Sequence, residues 1–98
     1  MQIPVNAKNV NENIILNFAF YDNGSTAISG VSLDGEPLFK ATVAIDETPP
    51  PGHCFLKGWS ENEGIPEALE RAGVVELTGR TVKTGFCEAL EAKVLKAD

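Results

Sequence analysis

Four glutamates, Glu61, Glu63, Glu67 and Glu70, follow Trp59 within "WSENEGIPEALERAG". A carboxylate accepts paired hydrogen bonds from a guanidinium group, so such a cluster suits an arginine-rich partner surface. A solvated helix face carries the same spacing, and the residues alone leave both readings open. Trp59 is a candidate interface anchor if exposed and an ordinary packing residue if buried. His53, Cys54 and Cys87 are the remaining reactive groups. Neighbours on a strand point to opposite faces, so His53 and Cys54 are poorly placed as a base and nucleophile. His53 with Cys87 stays open, without a motif behind it. One histidine and two cysteines supply three ligands, one short of a structural zinc site, so no metal or other cofactor is expected. The two cysteines are expected to be reduced packing residues, although spacing alone does not exclude a disulfide. Arg80, in "LTGRTVKTG", can reach a phosphate, but the glycine spacing of a phosphate-binding loop is missing. A solvated arginine in a turn is the expectation. No catalytic residue emerges, because nothing predicts a cleft that would shift paired carboxylates.

These groups must be held by short elements. Residues 1–12, rich in asparagine, read as a loosely held arm or a short edge strand. "IILNFAFYD" alternates, with Ile14, Leu16, Phe18 and Phe20 on one face and Ile15, Asn17, Ala19 and Tyr21 on the other. Asn23-Gly24 is a strong hairpin signal and predicts a type I′ turn. The return strand "TAISGVSL" is less apolar and suits a solvent-facing side. A second turn at Asp34-Gly35 leads into "PLFKATVAID", where Phe39, Ala41, Val43 and Ile45 share a face. Together these segments predict a three-stranded antiparallel meander. "ETPPPG" is a stiff connector that forbids sheet continuation.

"HCFLKGW" reads as a fourth strand. Ser60 and Glu63 have capping-box spacing, yet Pro66 favours a helix beginning near Ile65, with "SENEG" as a polar turn before it. Ile65, Ala68, Leu69 and Ala72 form the apolar stripe, and Gly73 stops the helix. "VVELTG" is a fifth strand and "TGRT" a turn. "EALEAKVLKA" has helical propensity, but strand alternation also fits, with Phe86, Leu90, Ala92 and Val94 on one face.

The expected fold is α+β: one domain, residues 1–98, with an antiparallel sheet packed on one short helix. The sheet comprises the meander and two or three further strands. At 98 residues with 43% hydrophobic side chains, the chain can bury one modest core. No apolar run is long enough to span a membrane. "MQIPVNAKNVNEN" lacks the basic and apolar blocks of a signal peptide, which gives a cytoplasmic expectation. A net charge of −6 argues against direct nucleic-acid binding and is compatible with a basic partner.

The ordered motifs "YDNG", "DGEP", "SENEG" with its following helix, and "TGR" followed by "GF", cover Tyr21 to Phe86. In this order the chain resembles a family of small uncharacterised proteins carried by phages, plasmids and integrated elements of bacteria. The resemblance implies a strand after "GF" and favours that reading of residues 86–94. It brings no catalytic residues. It implies a non-enzymatic protein-binding module, an inhibitor of a host defence complex such as CRISPR-Cas or of another nucleic-acid-processing machine. The partner would be a host protein or protein–nucleic-acid complex with a basic surface, met through Glu61, Glu63, Glu67, Glu70 and Trp59. The alternative is an accessory protein of the element that self-associates as a dimer through an exposed sheet edge.

Overall fold

The computed structural model describes residues 1–96. Its strands are β1 (Gln2–Asn6), β2 (Asn11–Phe20), β3 (Thr26–Ser32), β4 (Pro37–Lys40), β5 (His53–Leu56), β6 (Val75–Thr84) and β7 (Cys87–Val94). The α-helix is α1 (Ile65–Arg71), preceded by a 3₁₀ turn at Ser60–Asn62. The strands form two antiparallel sheets, ordered β1-β2-β3-β4 and β5-β7-β6. This is the expected α+β architecture with one short helix.

The meander forms as predicted, but its first turn differs from the expected type. Tyr21 N donates to Ser25 O at 2.8 Å and Gly24 N to Tyr21 O at 2.9 Å. Gly24 has φ +85° whereas Asn23 is not left-handed, so a three-residue loop ending in a glycine bulge replaces type I′. Ser32 to Glu36 repeats this arrangement, with Gly35 at φ +89°. β3 is not the solvent-facing strand its composition suggested. Thr26, Ile28 and Gly30 are buried on the core side. A Cβ at Gly30 would collide with the Phe39 ring, so the missing side chain is what lets Phe39 lie across β3. Phe20, placed by alternation on the core face, lies near the end of the sheet and is 76% exposed.

Residues 41–43 join the two sheets. Ala41 N donates to Ile28 O, continuing the β3–β4 ladder, while Ala41 O accepts from Lys57 N and Val43 N donates to Phe55 O. Buried Thr42 sits at this crossing, where its Oγ1 accepts from Ile28 N and bonds the Tyr21 hydroxyl, each at 3.0 Å. The hydroxyl satisfies a β3 donor where the chain turns to its new partner. The sheets thus curve into an incomplete barrel with β1 and β6 at its open ends. α1 packs against both of these strands and fills the gap.

α1 begins at Ile65 with Pro66 in its first turn, as expected, and buries Ile65, Pro66, Ala68 and Leu69. It ends with Gly73 N donating to Glu70 O and Val74 N to Leu69 O, a Schellman arrangement. No side-chain cap precedes it, so the Ser60–Glu63 spacing does not act as a capping box. Instead Glu63 N bonds Ser60 O within the 3₁₀ turn.

Residues 2–6 of the N-terminal segment are an edge strand with Ile3 and Val5 buried. Phe86 is followed by the expected strand, β7. The predicted turn at "TGRT" is instead a bulge inside β6, which runs on to Thr84. The register against β7 shifts between Leu77 and Thr81.

Both outer edges are blunted. On β1, Met1 bonds Leu16, and the alternation then sends the backbone groups of Gln2, Pro4 and Asn6 outward. Pro4 has no N–H to offer, and Asn6 O already accepts from Arg71 Nη2 at 3.3 Å. On β6, Glu70 Oε2 accepts from Leu77 N at 3.0 Å, and the bulge and Lys83 occupy the remainder.

Candidate functional site

The segment 59–64 is clamped from beneath. Asn62, 1% exposed, donates through Nδ2 to Lys40 O at 2.7 Å and to Lys57 O at 3.2 Å. The 7–10 turn holds it from the side, with Lys8 N donating to Glu63 O and Asn9 Nδ2 to Glu61 O, each at 3.3 Å. Backbone carbonyls are thereby consumed while the carboxylates are left outside. Glu61, Glu63 and Glu67 are all exposed.

The four glutamates are not equivalent. The Glu61 carboxyl is held below its usual range by its own backbone N–H, with Ser60 and then Lys57 assisting. Glu63 lies 3.7 Å from Lys8 Nζ in an exposed ion pair, a weak contact. Glu67 stands free-facing in the first turn of α1. Glu70 is committed to the β6 edge through Leu77 N. It is better described as a structural acceptor than as a member of a binding face.

Trp59 is half-buried and lines a shallow cleft of about 350 Å³ with Phe86, Cys87, Glu88 and Leu90. Sequence reasoning placed Phe86 on a strand face. It occupies the second position of the two-residue β6–β7 turn, after Gly85 at φ +63°, and is fully exposed. "TGF" held the available signal, since a glycine followed by one residue between alternating runs is a type II′ hairpin pattern.

The other reactive groups are dispersed. His53 pairs with Lys93 and Cys54 with Ala92 across β7, so the two side chains face opposite sides of the sheet. Burial pushes the Cys54 thiol up to about 12, which leaves it protonated at neutral pH. Cys87 lies six positions along β7 from Lys93, roughly 20 Å from His53 at strand rise. Both cysteines are free. Among the described residues no group of three or more His, Cys, Asp or Glu side chains is placed to hold a metal ion.

Arg80 is exposed, as expected, but it lies in the β6 bulge and not in a turn, and it is ion-paired. Its Nη1 donates to Glu91 Oε2 at 2.9 Å and its Nη2 to Glu47, and both contacts raise its pKa. Glu91 also accepts from Thr78 Oγ1 at 2.9 Å. The cluster ties the connector after residue 43 to the outer face of the second sheet, where Phe55 and Ala89 are buried apart from the main core.

Comparison with models of known protein families, with curated proteins and with solved structures finds no match. No helix among the described residues is long and apolar enough to cross a membrane. What this surface can do is therefore read from its geometry: it presents carboxylates from a rigid support, beside two aromatic rings.

Proposed function

We propose that this chain is a non-enzymatic protein-binding module of a mobile genetic element. It inhibits a host defence complex, such as CRISPR-Cas, or another nucleic-acid-processing machine. The observation that carries this is the outward display of Glu61, Glu63 and Glu67 on a segment whose other side is locked by Asn62, Ile65, Pro66 and Leu69. A rigid display loses little side-chain and loop freedom on binding. Machines that handle DNA or RNA expose lysine and arginine for phosphates, and carboxylates held in place compete for those cations. Trp59 and the exposed Phe86 supply apolar contact area at one end of the segment.

The test is capture from a bacterial host lysate with the tagged protein and with its Glu61→Lys/Glu67→Lys variant. Both must first melt alike. The expected result is a nucleic-acid-handling complex that the unmodified protein retains and the variant loses. Retention by both proteins removes the acidic face from the mechanism, and no specific capture by either removes the inhibitor reading.

A further inference from the structure

Strand β7 outruns its neighbour β5 at one end. The even-numbered residues of β7 turn their backbone groups toward β5: Leu90 pairs with Leu56, and Val94 N donates to Gly52 O. Glu88 is the next of that set, but β5 has already ended at Leu56. The Glu88 N–H and C=O therefore face the shallow cleft that Trp59 and Phe86 line, and neither takes a partner among the described residues. The Glu88 carboxylate is close to uncommitted as well. Its Oε2 accepts from Thr81 Oγ1 at 3.2 Å. Lys83 stands across from it on β6, yet among the described residues Glu88 forms no ion pair. Phe86 lies outside the core and is fully exposed, so the packing of the fold does not account for a phenylalanine at this turn.

We infer that this cleft is the seat of one arginine side chain from a protein partner. The inference rests on the protein-binding role proposed above and supplies the recognition chemistry that role leaves open. A guanidinium is flat and carries five donors fixed in a fork, with no acceptor. The cleft offers aromatic rings to its face, and the Glu88 carbonyl and carboxylate to its edge. An amide or hydroxyl side chain would leave the carboxylate without a counter-charge, and an apolar one would leave both acceptors unpaired. Lysine brings the charge, but its ammonium is compact and strongly hydrated and does not stack.

Size and position agree with this occupant. A cleft of about 350 Å³ takes one side chain and not a helix or a strand. Trp59 leads directly into the 3₁₀ turn that carries Glu61. An arginine seated beside Trp59 therefore brings the cations around it over the exposed carboxylates that follow.

The test uses Trp59, the only tryptophan, as its own reporter. Its fluorescence is titrated with acetyl-Gly-Arg-Gly-amide and with the lysine counterpart, at a constant ionic strength of about 0.15 M. Glu88→Gln, Phe86→Ala and Glu61→Lys/Glu67→Lys variants are run in parallel, with melting curves to show that each folds. The expected result is saturable binding of the arginine peptide, with a dissociation constant on the order of 1–10 mM. Binding should be at least about fivefold weaker with the lysine peptide, in Glu88→Gln and in Phe86→Ala. Glu61→Lys/Glu67→Lys should bind the single arginine within about twofold of the unmodified protein, since screening limits the effect of distant charge. No saturable change overturns the inference. So does an equal response to both peptides, or full binding in Glu88→Gln or Phe86→Ala. The peptides need no host protein, so the two readings fail separately. Arginine binding without capture from a lysate upholds the cleft and removes the inhibitor, and capture without arginine binding does the reverse.

Discussion

Glu91 lies on the central strand of its sheet with its side chain only 8% exposed, where an ionised carboxylate is unfavourable unless partners replace water. Burial alone would raise its pKa. The hydrogen bonds from Thr78 and Arg80, with the charge of Arg80, outweigh that and hold it below the usual value of 4.5. A carboxyl whose folded pKa is depressed contributes stability above its unfolded pKa and loses it as pH falls through the folded one. Arg80→Ala removes the compensation and leaves Glu91 with Thr78 alone. The melting temperature should fall most at pH 7, and the gap to the unmodified protein should narrow on acidification below about pH 4.5. Adding Glu91→Gln should recover part of the loss at pH 7. Thermal melts at pH 7 and pH 4 decide it: a gap of equal size at both values means that Arg80 serves something other than the Glu91 charge.

The 3₁₀ turn at Ser60–Asn62 is an element specified by tertiary contact. Asn62 fastens it to Lys40 O, 22 positions earlier in the chain, and to Lys57 O. Asn62→Ala takes the donor from two part-buried carbonyls and should cost about 1–3 kcal/mol. Because Trp59 is in the same turn, its fluorescence should shift to the red before the global transition in a urea titration. If Trp59 reports only the global transition, the turn is held by the 7–10 contacts and not by Asn62. The same distinction explains what could be read from the sequence. The two hairpins and α1 were legible because Asn23-Gly24, Asp34-Gly35, Pro66 and Gly73 act on their own neighbours. The bulge at residues 78–80 carries the same glycine and threonines as a turn, and only the presence of β7 opposite both halves of β6 makes it one strand. Of the candidate site, the exposure of Glu61, Glu63 and Glu67 was readable from composition. The commitment of Glu70 to Leu77 was not, because it depends on where a distant strand edge falls, whereas the exposure of Phe86 had a local signal in the "TGF" turn that strand alternation overrode.

At the scale of the whole molecule, α1 is the closure of an incomplete barrel. It is only seven residues long, too short to persist alone, so its stability comes from the two strands it spans. The dependence runs both ways, since α1 is packed against both β1 and β6 at the open side. Leu69 is fully buried in the core and belongs to this closure. Leu69→Ala should cost about 2–5 kcal/mol through lost burial and the cavity left behind. For a chain of this size that lowers the melting temperature on the order of 15 °C. The distribution of the loss is the sharper prediction. Native-state hydrogen exchange should show the amides of α1, β1 and β6 losing protection by similar free energies, because removing the plug opens both sheets at their ends. Exchange that rises in α1 alone, with β1 and β6 unchanged, would mean that the joint at Ala41–Val43 suffices to hold the two sheets together and that the helix is a passenger on them.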